Sequence, residues 1–267
     1  MSYATTAQSL IRARHAGFFA DVISVAIRAL RSIPREPEFI YPALVVPIFF
    51  YAINVGALQD FAERIPGMDY KAFQLPVAII FAVTGISRAV TLVTDIQTGY
   101  FDRLSLTPVN RLALLLGLSV ADFTLVVVLT VPVIVLGFVV GVTFAAGPLG
   151  LLIFILLSGL WGLVYTGFPY AIALKTGSPA AVNSSFLLFF PFAFLTTVFI
   201  PKDAMTGWMS TIATFNPVTY LLDAQRSLIS VGWDFEALAK GVACIAGVGV
   251  VSGTLALLAL RGRTRRA

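Results

Sequence analysis

The chain offers few side chains for bond-breaking chemistry. It has one histidine, His15, and one cysteine, Cys244. The usual zinc ligand sets cannot be assembled from them. His15 lies in a basic N-terminal arm, so no Ser-His pair for nucleophilic catalysis inside a membrane is available either. Cys244 sits in an apolar stretch, cannot form an intrachain disulfide, and reads as a small core residue. Lys175, Thr176 and Gly177 lack the preceding glycine of the GxxxxGK[ST] frame, so no P-loop holds a nucleotide here. No catalytic residue, metal or cofactor is expected in this chain. What remains are two charges inside apolar runs, Arg88 and Asp122. A lone charge in hydrocarbon is costly, so each must face protein or water. Two readings stand: a structural pair, with Arg88 able to snorkel, or groups lining a solute path. No series of carboxylates crosses the apolar runs, which weighs against a proton-coupled carrier.

The elements that must position these charges are membrane spans. The chain has 267 residues, 58% apolar and 12% charged, with mean hydropathy +0.93. Soluble chains carry about 25% charged residues. This composition excludes a disordered chain, a nucleic-acid binder and a disulfide-stapled secreted domain. It predicts a single all-α integral membrane domain over residues 1–267. A span needs about 20 mostly apolar residues. Six runs qualify: 39–58, 74–94, 112–140 with a kink at Pro132, 149–174, the short 183–200, and 240–260. Arg88 then lies about two turns from the inner end of the second, and Asp122 about three turns into the third. Those spans are antiparallel neighbours, so the depths allow pairing. Gly137 with Gly141, and Gly249 with Gly253, have the small-xxx-small spacing that lets helices approach closely.

Positive charge sets orientation, because cytoplasmic loops are enriched in Lys and Arg. With the N-terminus inside, the inner segments hold Arg12, Arg14, Arg28, Arg31, Arg35, Arg103, Arg111, Lys175, Arg261, Arg263, Arg265 and Arg266. The outer segments hold only Arg64, Lys71, Lys202, Arg226 and Lys240. Asp60, Glu63, Asp69, Asp203, Asp223, Asp234 and Glu236 fall outside. Both termini are expected in the cytosol, in a multi-pass cell-membrane protein. No signal peptide is evident, since arginines interrupt the first 37 residues.

Two segments are predicted not to span. Residues 18–33 place apolar side chains at 18, 19, 22, 23, 26, 27, 30 and 33, one stripe of a helix that would lie along the membrane surface. Pro34 and Pro37 then end it. Residues 201–236 are moderately apolar and carry Trp208, Tyr220 and Trp233, which favour the interface. Short helices dipping into the outer leaflet fit better than a long structureless loop. One is expected to start at Pro217 behind Asn216 as N-cap.

Two stretches carry a family pattern. Asp95, Gly99, Leu104, Thr107, Pro108 and Arg111 follow acidic-x-x-x-Gly…Leu-x-x-Thr-Pro-x-x-Arg. This resembles an element of the type-2 ABC exporter permeases, which usually have Glu where this chain has Asp95. The run from Phe199 and Pro201 through Trp208 to Asn216, Pro217, Tyr220, Asp223 and Arg226 is similar to the outer segment of the same family, particularly the daunorubicin-resistance type. Gln225 stands where Leu is common and Thr206 where Pro is common. The resemblance covers the whole architecture.

The resemblance implies a permease that dimerises with a second copy, or a close relative, and binds two copies of a separate ATPase carrying ATP and Mg. Residues 95–111 would be the coupling loop. Phe101, Leu104 and Leu106 supply an apolar knob, Asp95, Asp102, Arg103 and Arg111 are charges that can pair with the ATPase, and Pro108 stops the element. Substrate would pass a cavity between copies lined by the second and fifth spans, where Asn183, Ser184, Phe186, Phe189 and Phe190 would join Arg88 and Asp122. The cargo would be hydrophobic or amphipathic. Rival readings are an exporter of lipid-linked glycan or lipid, and an ATP-independent carrier or channel. The latter would show paired half-sequences, and no internal repeat is evident. A membrane-embedded enzyme is disfavoured by the missing His, Cys and clustered carboxylates.

Overall fold

The structure, a computed structural model, describes residues 17–35, 37–62, 64, 68–100, 111–185, 187 and 189–264. Phe101, Asp102, Arg103, Leu104, Leu106, Thr107, Pro108, Phe186 and His15 lie outside the described residues. Among those described, every regular element is helical.

Helix α1 (Phe18–Ser32) begins after Gly17, which takes a left-handed φ of 97°. Asp21 in its first turn and Arg31 in its last complement the helix dipole. A 3₁₀ turn at Ile33–Arg35 follows, and Pro37 then opens α2 (Pro37–Ala62) at the position where its missing N–H costs nothing. The expected 74–94 span comes as two pieces, α3 (Tyr70–Thr84) and α4 (Ala89–Gln97). Asp69 caps α3 by accepting the N–H groups of Lys71 and Ala72 at 3.0 and 3.3 Å. The break falls at Gly85–Ser87, a Gly/Ser pair of the kind that interrupts helices.

Next come α5 (Arg111–Val139), α6 (Gly147–Tyr165), α7 (Gly167–Thr176), α8 (Pro179–Ser185) and α9 (Phe189–Phe194). Residues 195–200 are not helical. Then follow α10 (Gly207–Phe215), α11 (Pro217–Ser230) and α12 (Phe235–Thr264). Five stretches are long and apolar enough to cross a membrane: Ile40–Ala62, Tyr70–Gln97, Leu112–Val139, Gly147–Thr176 and Phe235–Arg263. The sixth expected run, 183–200, falls on the end of α8, on α9 and on the non-helical 195–200.

The Tyr70–Gln97 stretch is central: 67% of its most apolar window is buried, against 17% for the first and last stretches. Its break divides the core into two tiers. One gathers Leu75, Ile79 and Val83 of α3 with Val126 and Val133 of α5, Phe154 and Trp161 of α6, and Leu221 and Leu228 of α11. The other gathers Ala29 of α1, Leu92 and Val93 of α4, Leu114 and Leu118 of α5, Leu174 of α7, and Leu260 of α12.

Glycine sets several of the helix contacts. A Cβ on Gly117 of α5 would stand 2.6 Å from Val25 Cβ and 2.9 Å from the Val22 carbonyl of α1. Gly117→Leu should therefore push α1 off α5. Tryptic cleavage after Arg31 in detergent should speed up several-fold, and an unchanged rate would contradict the contact. Of the paired glycines expected to pack, Gly137 faces Leu75 and Gly249 faces Val164. Gly141 and Gly253 meet nothing within 4 Å. Gly141 instead turns the chain after α5 with φ 96°. The spacing was a packing motif at only one glycine of each pair.

Candidate functional site

Between the two tiers lies a buried polar layer. Asp122, fully buried on α5, accepts the backbone N–H of Arg88 at 2.9 Å and the hydroxyl of Tyr170. Arg88 is the N-cap residue of α4, so a carboxylate from another helix caps the positive end of α4. The Arg88 guanidinium runs the other way, to the carbonyl of Ala29 at 3.2 Å and the hydroxyl of Ser32, both on α1. Nearby, Ser252 of α12 donates to the Val164 carbonyl. Arg88 and Asp122, which their depths allowed to pair, do meet. The contact made is to the backbone of Arg88, and it fixes the break in the second span.

The C-terminal end of α4 is anchored on two sides. Arg28 of α1 forms a 2.8 Å ion pair with Asp95 and stacks 4.7 Å over the Tyr100 ring. Burial lowers the Arg28 pKa, but the bond and charge of Asp95 outweigh it and the net direction is upward. Gln97 donates to the Gly177 carbonyl at 2.9 Å. Gly99 then turns the chain with φ 69°, a left-handed value that favours glycine. Asp95, one of the charges expected to be able to pair with a partner, is bonded to Arg28 within the chain. Arg111 is the first residue of α5.

A cavity of about 360 Å³ opens beside the break. Arg88 and Asn183 line it, with Thr84, Ser87 and Ser185 as further polar groups. Pro42 and Pro47 of α2, Phe81, Leu125, Leu129 and Tyr165 form much of the rest. Thr84 donates to the Ile80 carbonyl at 2.6 Å and accepts from the Trp161 indole at 3.0 Å. Other expected path residues lie off this wall. Asp122 stands behind it, and Ser184 is exposed and bonded to the Ala180 carbonyl at 2.9 Å. Phe189 is buried, edge-on to Phe81 and Tyr165 at 5.8 and 5.5 Å. Phe190 stacks on Phe194 at 5.7 Å.

At the opposite end of the second span, polar side chains hold the non-helical 195–200. Asn216 caps α11 through the Val218 N–H at 3.0 Å, as expected from the Asn-Pro start. Its amide also donates to the carbonyls of Phe192 and Leu195 at 2.5 and 3.0 Å. Arg226 donates to the Phe73 carbonyl at 3.2 Å and to the Thr197 hydroxyl and carbonyl, both at 2.7 Å. It lies 3.5 Å over the Phe73 ring and 3.8 Å from Asp223. Gln74 reaches the Val198 carbonyl at 2.9 Å. Tyr220 donates to the Thr214 carbonyl at 2.7 Å. Gln225, which had no assigned role, is fully buried and donates to Ser158 at 2.9 Å. Trp208 and Trp233 are exposed.

Sequence reasoning missed Gln74, Thr84, Tyr170 and Thr197, whose partners lie far along the chain. The one local signal for the break was the Gly85–Ser87 pair, masked by the apolar Ile86 between them.

The sequence profile of ABC-2 type transporters matches residues 21–229. The chain is 26% identical over 209 residues to the daunorubicin resistance ABC transporter permease protein DrrB1 of Streptomyces coeruleorubidus, covering 76% of this chain and 72% of that one. It is 25% identical over 238 residues to the probable doxorubicin resistance ABC transporter permease protein DrrC of Mycobacterium tuberculosis, covering 88% and 86%.

Proposed function

Because the chain belongs to the ABC-2 type transporter permease family, we propose that it is the membrane-spanning subunit of an ATP-driven exporter. It works with a second permease copy and two copies of a separate ATPase, which bind ATP and Mg. Its cargo is a hydrophobic or amphipathic compound, in keeping with the drug-resistance titles of its relatives. Both termini face the cytosol, as the arginine distribution requires. Helix α1 lies at the inner interface with Phe19, Ile23 and Ile27 toward lipid, since these are exposed while Ala26 and Ala29 are buried. Residues 183–200 complete a sixth crossing, and α10 and α11 dip into the outer leaflet.

The observation that carries this reading is the anchoring of residue 95. A loop between two spans transmits a push only from a fixed base. Here the base is the Arg28–Asp95 ion pair, the Gln97–Gly177 bond and the Asp122 cap at the far end of α4. The loop 95–111 then presents Phe101, Leu104 and its charges to the ATPase. Phe101→Ala with Leu104→Ala should reduce the yield of the permease–ATPase complex several-fold and leave membrane insertion unchanged. Wild-type complex yield with wild-type transport would refute the coupling assignment.

A further inference from the structure

We infer that Asp122 is a joint. The tier that holds α4 turns as one body against the tier that holds α3, at the level of the cavity. Asp122 ties two turning pieces, α4 and α7, to the unbroken α5. The inference deepens the exporter reading and rests on it for what drives the motion.

The boundary between the tiers comes first. The two cores part between Ile86 and Ala89 on the second span, between Ala121 and Val126 on α5, and between Tyr165 and Tyr170 on α6 and α7. The bonds of Asp122 to Arg88 and Tyr170 put these three places at one level. Two of the three crossings are interrupted there. Helix α3 ends at Thr84 and α4 starts at Ala89. Helix α6 gives way to α7 at Thr166, and Pro169 has no N–H to offer the Tyr165 carbonyl. In contrast, α5 and α12 are single helices of 29 and 30 residues. A helix bends where its bond ladder is incomplete. The broken pieces are therefore the movers, and the whole helices are what they move against.

Room to move comes second. A close-packed interior resists bending, because each shift displaces neighbours. Here about 360 Å³ lies open at the weak points. Gly85 and Ser87 of the first break and Pro169 of the second line it, as do Pro42 and Pro47 inside α2. A hinge needs only a few residues at element ends to absorb the turn.

The ties come third. One oxygen of Asp122 accepts the Arg88 N–H at 2.9 Å, and the other accepts the Tyr170 hydroxyl. One carboxylate on α5 thus holds the start of α4 and the body of α7. At the far end of α4, Gln97 donates to the Gly177 carbonyl, just past α7, at 2.9 Å. Leu92, Val93 and Leu174 share one core between them. Joined at both ends, α4 and α7 turn together, so a push arriving at residues 95–111 reaches the cavity wall from two sides.

The test uses the full chain with Cys244→Ser in nanodiscs, alone and with its candidate ATPase. Spin labels go on Thr94→Cys of α4, Thr176→Cys of α7 and Leu152→Cys of α6, all exposed positions. They are placed two per chain and diluted with unlabelled chain, so that distances within one chain are read. Between the nucleotide-free complex and the complex with ATP and vanadate, the 94–176 distance should hold. Both distances to residue 152 should shift by about 2 Å or more, the scale of helix shifts in switching proteins. In the chain alone, Tyr170→Phe with Gln97→Ala should roughly double the width of the 94–176 distribution. Tyr170→Phe carries that arm by itself if the double variant does not fold. Asp122→Asn, whose amide can accept from the Arg88 N–H and donate to the Tyr170 oxygen, should leave the distribution narrow. Fixed distances throughout, equal shifts in all three pairs, or a 94–176 distribution indifferent to loss of the ties would overturn the inference. Any of these in a complex that hydrolyses ATP and moves cargo leaves the exporter reading standing. A chain that recruits no ATPase would sink that reading, and the response of the chain alone to the variants would still decide the joint.

Discussion

Asp122→Ala should lower the stability of the purified chain by about 3 kcal/mol, measured by unfolding in mixed micelles. Two donors depend on this carboxylate, the Arg88 N–H and the Tyr170 hydroxyl, and all of it is buried. Each donor left unpaired in an apolar interior costs about 1–3 kcal/mol. Asp122→Asn keeps one oxygen that can accept from Arg88, so it should recover at least half of the loss. The pair of variants separates geometry from charge. A stable Asn variant that still transports marks a cap. A stable Asn variant that no longer transports marks a charge used on the path. The fold predicts the first, because Asp122 is off the cavity wall. Wild-type stability of the Ala variant would contradict the polar layer.

Arg226→Ala should cost about 3 kcal/mol, of the order seen when one member of a buried charged network is removed. It should also raise amide exchange in residues 195–200 at least tenfold. That segment has no helix to satisfy its backbone. Non-helical backbone at membrane depth survives only where protein supplies the bonds, and Arg226, Asn216 and Gln74 supply them here. Arg226→Lys should recover little. An ammonium group cannot reach the Thr197 hydroxyl and carbonyl, the Phe73 carbonyl and the Phe73 ring together, as a planar guanidinium does. Unchanged exchange in the Ala variant would contradict this role.

Local signals in the sequence survived in the structure. The Asn216–Pro217 start of α11 needs only its neighbours, and it was legible. So was the cost of burying Arg88 and Asp122, and a helix stands at Phe18–Ser32 where the apolar period was read. Hydropathy could not reveal how those charges are used. Arg28 meets Asp95 across 67 positions and Tyr170 meets Asp122 across 48, and such pairs require the topology. The break in the second span was hidden because Ile86 keeps the run apolar while Gly85 and Ser87 interrupt the helix. Residues 183–200 looked like a span on composition alone, although the bonds that let 195–200 leave the helix come from Gln74, Asn216 and Arg226.

The most direct test of the account is ATP-dependent transport by the chain co-purified with its candidate ATPase and reconstituted in lipid. The account predicts a stable complex with equal numbers of the two chains. Its hydrolysis should rise with an amphipathic cargo, and that stimulation should disappear with Phe101→Ala and Leu104→Ala. Movement of the cargo by the isolated chain without ATP, or failure to hold any ATPase, would contradict it.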